Sequence, residues 1–449
     1  MKIVAAPGRP LNGSVSLPGD KSISHRAALF AALSVGENHI NNFLVAGVTK
    51  VMLRALSELG VPWDLVDTTL KVQGRGLPRN HHSTVPVLLD CGNSGTTMRL
   101  LAGALSALGL PAILDGSAGL RSRPMKRIVE PLQAMGVSIQ ASPGYTAPLI
   151  LAGRASNRKL LPLEYNLPVA SAQVKSCLLL AALDADGTTT LREPGPSRDH
   201  TERMLHAMGV AIAKETKSIP GDQVCQYETR LTPPNPPELA PLSLDIPGDI
   251  SSASFLIVAA LITPGSSIML QGVGLNPTRT GLLDALQSMG ADIQISNLTE
   301  SHGEPIGDLL VRYGPLRSTQ ISGSLVVRMI DEFPAFAVAA ANAQGRSVVS
   351  QAAELRHKES DRISDLCGEL LRLGVDVEET ADGFAINGGE ILKGGEVDPH
   401  ADHRLAMALA VAGLAAQEPV VIQDAGIIAE SYPKFGSSLR DLGVDIRSL

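Results

Sequence analysis

Two kinds of helical segment alternate along the 449-residue chain. The first kind has apolar residues at every third or fourth position and ends at a glycine, as where Ile128 and Leu132 precede Gly136. Apolar and polar residues then alternate, as in residues 375–377, which is typical of a half-buried strand. This pattern predicts an amphipathic helix, a left-handed glycine at its end, and a strand.

The helix-glycine-strand pattern recurs six times, at intervals of about 75 residues, which is typical of repeated supersecondary units. The six glycines are Gly60, Gly136, Gly209, Gly290, Gly374 and Gly443. A Pro-rich run at 232–241 separates the first three copies from the last three. The chain is therefore expected to form two α/β domains of three units each, with a cleft between them.

The second kind of segment is rich in Ala and Leu and is apolar on nearly all sides. A helix that is hydrophobic all round is buried, so each unit is expected to hold one buried and one surface helix. The six apolar segments begin at Ala27, Met98, Ser176, Ser251, Ala335 and Leu405.

Composition excludes several classes of protein. Hydrophobic residues are 44% and charged residues 18%, so the chain is not disordered. A net charge of -7 and only 3% aromatic residues argue against a nucleic-acid partner. The four cysteines form no CxxC pair, and neither a metal site nor a disulfide framework is expected. With no apolar segment before Pro7 and none long enough to span a bilayer, a cytoplasmic protein without membrane contact is expected.

Polar and charged residues gather where the buried helices begin. Free N–H groups and the helix dipole make such positions suitable for anions, phosphate above all. The alternative is that these residues only cap the helices. In the first half they are Lys21, Ser22, Arg26, Asn93, Gly95, Arg99, Ser171, Ala172 and Gln173, and in the second half Asp249, Asp331, Glu332, Asp402 and Arg404.

Two charged segments are further candidates. Residues 121–127 hold four cations, and the proline after Arg123 restrains the backbone there. Residues 358–362 combine carboxylates with cations, a combination suited to acid-base chemistry. Solvated charges and exposed salt bridges are the alternative for both. His25, His200 and His403 are expected to titrate near neutrality, and no histidine spacing resembles a metal site.

These segments resemble the 5-enolpyruvylshikimate-3-phosphate (EPSP) synthases, or 3-phosphoshikimate 1-carboxyvinyltransferases (EC 2.5.1.19), of the subgroup called class II. The motifs that carry the resemblance are LPGDKSISHR, CGNSGTTMRL, RPM, SAQVKS, RDHTER, NPTRTG, KESDR and DHR, and they span nearly the whole chain. The resemblance implies a two-domain inside-out α/β barrel of six βαβαββ units. It places the first domain at 21–240 and the second at 1–20 plus 241–449.

The reaction that the resemblance implies belongs to the shikimate pathway, which leads to chorismate and the aromatic amino acids. The enolpyruvyl (carboxyvinyl) group of phosphoenolpyruvate moves to the 5-hydroxyl of shikimate 3-phosphate. Protonation of the vinyl carbon creates a cationic centre, the hydroxyl attacks it, and the tetrahedral intermediate eliminates phosphate. No cofactor or metal is implied, and a monomer is expected.

The resemblance also implies roles for individual residues. Asp331 would be the base on the 5-hydroxyl, and Glu359 would carry the proton to the vinyl carbon, with Lys21 a rival for part of that role. Shikimate 3-phosphate would contact Lys21, Ser22, Arg26, Ser171, Ala172, Gln173, Arg198, Asp331 and Lys358. Phosphoenolpyruvate would contact Lys21, Asn93, Gly95, Arg123, Gln173, Arg362 and Arg404.

The sequence departs from the family pattern at two positions. Glu430 stands where many members carry a lysine directed at phosphoenolpyruvate, and Ala172 replaces a serine found in some members.

Two other hypotheses compete with the resemblance. One is UDP-N-acetylglucosamine enolpyruvyl transferase, which usually has a reactive Cys in a loop near the RP motif, where this chain has none. The other is a non-catalytic anion-binding protein, although Lys21, Asp331 and Glu359 are all present.

Overall fold

The computed structural model of the chain describes residues 1–77, 85–218 and 225–449. The described residues divide into two compact units. The first domain comprises Lys21–Ile246 with Ser301–Gly303. The second comprises Met1–Asp20, Pro247–Glu300 and Glu304–Leu449. The chain therefore starts in the second domain, passes into the first after Asp20, and returns after Ile246.

Short strands and helices alternate throughout the described residues. The strands are β1 (Ile3–Ala5), β2 (Asn12–Ser16), β3 (Val35–Asn41), β4 (Trp63–Val66), β5 (Thr69–Arg75), β6 (Val87–Asp90), β7 (Ala112–Asp115), β8 (Ile139–Ser142), β9 (Thr146–Leu151), β10 (Glu164–Asn166), β11 (Thr189–Glu193), β12 (Ala211–Ser218), β13 (Cys225–Thr232), β14 (Ser243–Asp245), β15 (Ser267–Gly274), β16 (Asp292–Ser301), β17 (Glu304–Arg312), β18 (Gln320–Ile321), β19 (Gly345–Val349), β20 (Asp376–Thr380), β21 (Gly383–Gly388), β22 (Gly395–Val397), β23 (Val420–Ile422) and β24 (Ile446–Ser448). The helices are α1 (Lys21–Leu33), α2 (Gly47–Glu58), α3 (Gly95–Leu108), α4 (Ala118–Arg121), α5 (Lys126–Ala134), α6 (Ala172–Ala182), α7 (His200–Ala207), α8 (Ile250–Ile262), α9 (Gly281–Ser288), α10 (Ser324–Arg328), α11 (Phe333–Ala341), α12 (Arg362–Arg372), α13 (His403–Ala412) and α14 (Phe435–Asp441), with 3₁₀ turns η1 (Ala353–His357), η2 (Gly413–Ala415) and η3 (Ala425–Glu430).

The repeating unit is clearest in the third sheet of the first domain. There β10, α6, β11, α7, β12 and β13 follow one another, and the strands lie in the order β10-β11-β13-β12. The pair β10–β11 is parallel, whereas β13 runs antiparallel to both of its neighbours. Six four-stranded sheets share this plan, three in each domain, which confirms the predicted six βαβαββ units.

Three sheets borrow a strand from a distant part of the chain. In the first domain β14 pairs in parallel with β3, while in the second β2 pairs with β15 and β1 lies between β23 and β24. Because β14 pairs with β3, residues 241–246 belong to the first domain. The predicted range of 21–240 for that domain therefore ends too early.

The two kinds of helix are found where the pattern predicts them. All 13 residues of α8 are buried, and α1, α3, α6, α11 and α13 are buried along most of their length. The six predicted glycines that end the surface helices have φ between +74° and +96°, a region that other residues enter at a cost. Each domain has its own hydrophobic core. Across the described residues, no helix is long and apolar enough to cross a membrane.

Close packing of the buried helices requires small residues. A Cβ atom added at Gly103 of α3 would lie 2.1 Å from the backbone oxygen of Cys177 in α6. The helices α3 and α6 can therefore approach each other only because position 103 has no side chain. This packing brings the beginnings of the two helices, which carry predicted site residues, into one region of the first domain.

Candidate functional site: a cationic and an acidic cluster

In the first domain, the predicted anion-binding residues lie where α1, α3 and α6 begin, between α4 and α5, and just before α7. We call this set the cationic cluster: Lys21, Ser22, Arg26, Asn93, Gly95, Arg99, Arg123, Ser171, Ala172, Gln173 and Arg198. Ser22 is one meeting point, since Arg198 Nη1 donates to Ser22 Oγ at 3.3 Å and Arg26 Nη1 donates to its backbone oxygen at 3.0 Å. The structure thus brings Ser22, Arg26 and Arg198 together.

Arg26 is 2% exposed and is bound by neutral groups of its own domain. Its Nε donates to Thr201 Oγ1 at 2.8 Å, and its Nη2 donates to Ser176 Oγ at 2.8 Å. Arg26 therefore joins α1 to α6 and α7. Its bond to the backbone oxygen of Ser22 brings a positive charge close to that residue.

Gln173 and Arg99 link α3 with α6. Arg99 Nη1 donates to Gln173 Oε1 at 2.5 Å, and Gln173 Nε2 donates to Thr96 Oγ1 at 2.9 Å. Ser171 is the N-cap residue of α6 but makes no side-chain cap bond, and Ala172 begins the helix. Arg99 is a functional candidate that the family-based assignments omit, although its position at a buried helix start pointed to it.

Gly95 lies directly beside two guanidinium groups. A Cβ atom placed there would be 2.8 Å from Arg99 Nη1 and 3.3 Å from Arg123 Nη1. The neighbouring Arg121 differs, because its guanidinium is bound by Asp115 and holds the pKa of that carboxyl below its usual value. Of these two arginines in the 121–127 segment, Arg123 is the one that belongs to the cluster.

Asn93 precedes α3 and is tied to the segment before α4. Its side-chain Oδ1 accepts a hydrogen bond from Ser117 Oγ at 3.1 Å. The residue after it, Ser94, caps α3 by accepting from the backbone N–H of Thr97 at 3.1 Å. The amide of Asn93 is therefore held in place at the start of α3, beside Gly95.

His25 does not titrate near neutrality, contrary to the prediction. Its ring nitrogens lie 2.8 Å from the backbone oxygen of Lys21 and 3.2 Å from that of Val48. Burial, together with the charges of Lys21 and Arg26, lowers the pKa of His25 to about 4, although the backbone contacts oppose the shift. The prediction failed because sequence alone does not reveal that the ring is buried among cations.

Lys175 lies in the first turn of α6 and serves the fold. The side chain is 3% exposed, with Nζ 2.5 Å from Glu193 Oε1 and 2.8 Å from Glu202 Oε1. Both carboxylates are buried as well, and burial raises the pKa of Glu202 even though Lys175 opposes this. This network connects α6 to α7 and β11. The lysine of the SAQVKS motif therefore forms an internal ion pair.

In the second domain, carboxylates and arginines converge where α8, α11, α12 and α13 begin. We call this set the acidic cluster: Asp20, Asp249, Arg279, Asp331, Glu332, Glu359, Arg362, Asp402 and Arg404. It contains six carboxylates and three guanidinium groups, which gives it a formal excess of negative charge. Most of its members are buried, so these charges interact through a low dielectric.

Arg362 is the centre of the predicted catalytic residues. Its guanidinium is 1% exposed and donates to Asp402 Oδ2 at 2.6 Å, Glu359 Oε2 at 2.5 Å and Asp331 Oδ1 at 3.2 Å. Burial disfavours its charge, but the three carboxylates outweigh burial and raise the pKa of Arg362 above its usual value. The structure therefore holds the predicted base and the predicted proton carrier on one guanidinium group.

Arg404 supports Asp331 from a second side. Its Nη1 donates to the backbone oxygen of Asp331 at 3.2 Å, and its Nη2 lies 3.5 Å from Asp331 Oδ2. Asp402 caps α13 by accepting from the backbone N–H of Arg404 at 2.8 Å, while also binding Arg362. Asp402 lies in the DHR motif, but the sequence did not assign it a role in substrate binding or catalysis. An aspartate that caps a helix has the same local sequence pattern whether or not it also binds a distant arginine.

The charged residues of the 358–362 segment differ in the groups that they contact. Asp361 caps α12 by accepting from the backbone N–H groups of Ile363 and Ser364, and it pairs with Arg356 at 2.8 Å. Lys358 is half-buried and directly follows η1. Glu359, with its side chain 26% exposed, remains reachable while bound to Arg362.

The residues near Glu430 do not supply a replacement lysine at the expected position. Glu430 ends η3 and is half-buried, whereas Lys434 is exposed and stands at the N-cap of α14.

Within the described residues, no group of three or more His, Cys, Asp and Glu side chains could hold a metal ion.

Comparisons with known proteins bear directly on these motifs. Residues 5–439 match the family model of EPSP synthase (3-phosphoshikimate 1-carboxyvinyltransferase). The chain belongs to this family. It is 48% identical over 436 residues to the 3-phosphoshikimate 1-carboxyvinyltransferase of Syntrophomonas wolfei, covering 97% of this chain and 98% of that one. Among solved structures, an EPSP synthase from Acinetobacter baumannii aligns with a TM-score of 0.85 at 38% identity, covering 99% of both chains. The family resemblance drawn from the motifs and the implied two-domain inside-out α/β fold are thus confirmed.

Proposed function

We propose that this member of the EPSP synthase family transfers the enolpyruvyl group of phosphoenolpyruvate to the 5-hydroxyl of shikimate 3-phosphate and releases phosphate. Membership of the family over nearly the whole chain supports the reaction. The observation that carries the residue assignments is the convergence of Asp331 and Glu359 on Arg362. This arrangement joins a general base and a proton carrier to a cation that can bind an anionic substrate.

The cationic cluster binds the phosphate and ring of shikimate 3-phosphate in this proposal. Lys21, Ser22 and Arg198 supply charge-assisted hydrogen bonds to the phosphate, and Gln173 with Ser171 orients the ring. Arg26 contributes mainly its charge, because at least three of its N–H groups bond within the domain. Ala172 offers only its backbone, and Lys358 adds a contact from the second domain.

Phosphoenolpyruvate is bound by arginines of both clusters. Arg123 at Gly95, with Asn93 and Gln173, serves one part of this dianion, and Arg362 and Arg404 serve another. Arg362 is already paired with Glu359, so an arriving anion competes for the same guanidinium. This competition favours protonation of Glu359 at the moment when phosphoenolpyruvate is bound.

The addition step needs two proton movements, and the elimination of phosphate then removes one proton from the new methyl group, which restores the double bond. Asp331 accepts the proton of the 5-hydroxyl, held by Arg362 on one oxygen and close to Arg404 at the other. Glu359 delivers a proton to the vinyl carbon, with Lys21 as the alternative donor. In this proposal the two proton movements of the addition step fall on Asp331 and Glu359.

The first experiment measures phosphate release from phosphoenolpyruvate without added metal. Shikimate 3-phosphate and UDP-N-acetylglucosamine are offered as alternative acceptors. Release only with shikimate 3-phosphate is expected, whereas release only with the sugar nucleotide would overturn the proposal. Release with neither acceptor would favour a non-catalytic anion-binding protein.

A second experiment separates Glu359 from Lys21 as proton donor. Protonation of the vinyl carbon is reversible, so in D₂O the vinyl hydrogens of recovered phosphoenolpyruvate exchange with solvent. Glu359→Gln is expected to abolish this exchange while Lys21→Met mainly weakens substrate binding. Exchange retained in Glu359→Gln and lost in Lys21→Met, at saturating substrate, would assign the proton to Lys21.

The protein is further proposed to work as a monomer in the cytoplasm. One chain supplies every residue invoked above, so the chemistry requires no second copy. Cys91, Cys177 and Cys367 are buried free thiols, which suits a reducing compartment. Light scattering coupled to gel filtration tests the oligomeric state, and cell fractionation tests the location.

A further inference from the structure

Two Pro-Gly-Asp segments mark the places where the chain leaves and re-enters the second domain. They are residues 18–20 and 247–249, next to the two domain boundaries. The segments pair with each other, because the backbone N–H of Asp20 donates to the oxygen of Pro247 at 2.9 Å and that of Asp249 donates to the oxygen of Pro18 at 2.9 Å. The two segments at which the chain passes between the domains are thus hydrogen-bonded to each other within the second domain.

Arg279, from the NPTRTG motif, joins the aspartates of both segments. Its Nη1 donates to Asp20 Oδ2 at 2.8 Å, and its Nη2 lies 3.3 Å from Asp249 Oδ1. The guanidinium is 2% exposed, and burial is outweighed by the carboxylates, which raise the pKa of Arg279 above its usual value. A planar guanidinium can serve two carboxylates at fixed angles, which a lysine ammonium cannot do equally well.

The same guanidinium reaches the segment that carries the predicted base. Its Nη2 donates to Ser251 Oγ at 2.8 Å, and this hydroxyl donates a short hydrogen bond to Glu332 Oε1. Glu332 is 0% exposed and follows Asp331 directly in the chain. Arg279 therefore stands between Asp20, which precedes Lys21, and Glu332, which follows Asp331.

We propose that Arg279 is a positioning residue for the enolpyruvyl transfer, fixing the backbone at Lys21 through Asp20 and at Asp331 through Ser251 and Glu332. This inference rests on the proposed function. A purely structural ion pair would stabilise the second domain without affecting turnover by the folded protein. A positioning residue changes turnover because small displacements of reacting groups are costly, about 100-fold for roughly 1 Å.

The test compares Arg279→Lys with Leu309→Ala. Lysine keeps the charge but lacks the planar set of N–H groups through which Arg279 binds both aspartates and Ser251. Leu309 is buried in the core of the second domain and belongs to neither cluster, so its truncation lowers stability without touching the network. The kcat value, both KM values and the thermal unfolding midpoint are measured for each variant and for the wild-type protein.

The expected result is a loss of kcat by about 10- to 100-fold in Arg279→Lys, with KM values changed much less. Leu309→Ala should keep kcat within about two-fold despite an equal or larger fall in the unfolding midpoint. Wild-type kcat in Arg279→Lys would overturn the inference, as would an equal loss of kcat in Leu309→Ala.

If Arg279→Lys does not fold, Asp20→Asn takes its place under the same criteria, since it removes one charge-assisted contact and keeps Arg279. A wild-type protein that releases no phosphate with shikimate 3-phosphate would contradict the proposed function. That outcome differs from an active wild type with unaffected variants, which contradicts only the positioning role.

Discussion

The two domains repeat one structural unit, yet the beginnings of their buried helices carry opposite charge. In the first domain α3 is capped by the neutral Ser94, and Ser171 at α6 makes no side-chain cap bond. In the second domain α8 and α13 are capped by Asp249 and Asp402. The same position in the unit is therefore used in two ways.

The choice of cap determines what else gathers at a helix start. A neutral cap leaves the positive end of the dipole available to an external anion. An aspartate cap neutralises that end and can also attract an arginine, as Asp402 does with Arg362. Under the proposed function, the first domain takes its anion from a substrate, whereas the second domain supplies its own carboxylates, which hold arginines and include the proposed base.

The largest effect is expected from removing the base. Asp331→Asn keeps the size of the side chain and a hydrogen-bonding oxygen for Arg362, but it cannot accept the hydroxyl proton. Turnover should fall by about 10³-fold, within the range for general base catalysis, while binding of shikimate 3-phosphate changes little. Steady-state kinetics and calorimetric titration check both parts.

A surface carboxylate provides the control for this variant. Asp292→Asn removes an exposed ion pair with Arg312 and should leave turnover unchanged. Turnover of Asp331→Asn close to that of the control would remove Asp331 from the mechanism.

Stability should distinguish the central arginines of the two clusters. Arg362→Met leaves the carboxylates of Asp331, Glu359 and Asp402 without their shared cation, which is expected to cost about 3–5 kcal/mol. Arg26→Met removes the donor that serves two hydroxyls and a carbonyl, which should cost about 1–3 kcal/mol.

Chemical denaturation followed by circular dichroism measures both losses. Trp63, the single tryptophan of the sequence, lies in the first domain, so its fluorescence reports the unfolding of that domain separately. Equal costs for the two variants would contradict the proposed difference between the clusters.

The repeated unit was predictable because its signals are local. Helical periodicity followed by a glycine is visible within about ten residues, and all six glycines have the predicted left-handed conformation. Strand β14 was not predictable, because three residues carry no periodicity and its partner β3 is about 200 residues away. The same reason explains the misplaced domain boundary.

The site was predictable in its residue types but only partly in its contacts. The motifs pointed to Arg362, Asp331 and Glu359, which the structure joins. The pairing of Arg279 with Asp20 links residues about 260 positions apart, and no local pattern indicates which carboxylate an arginine binds. The neutral partners of Arg26 could not be foreseen for the same reason.

A smaller effect is expected at the cationic cluster from a single added methyl group. Gly95→Ala places a carbon 2.8 Å from Arg99 Nη1 and 3.3 Å from Arg123 Nη1, so both side chains must shift. We expect the KM for phosphoenolpyruvate to rise by about 10- to 100-fold, with kcat and the KM for shikimate 3-phosphate less affected. Steady-state kinetics with each substrate varied in turn measures these constants.

Gly436→Ala is the matched control, because its Cβ would meet nothing closer than 3.5 Å. It should leave both KM values unchanged. An unchanged KM for phosphoenolpyruvate in Gly95→Ala would separate Arg99 and Arg123 from the binding of that substrate.

The smallest effect concerns the ring of His25, which is disfavoured in its charged form by burial and, to a lesser degree, by Lys21 and Arg26. The pKa of His25 is lowered to about 4 from the ordinary 6.5, so the unfolded chain takes up this proton first as pH falls. The stabilising contribution is complete above pH 6.5 and is lost towards pH 4, by about 1 kcal/mol at pH 5.5. Denaturation of the wild type and of His25→Gln between pH 7.5 and 5.5 should reveal this slope only in the wild type. His206→Gln, at an exposed position of the same domain, should keep it, and a slope that persists in His25→Gln would assign the acid sensitivity to another group.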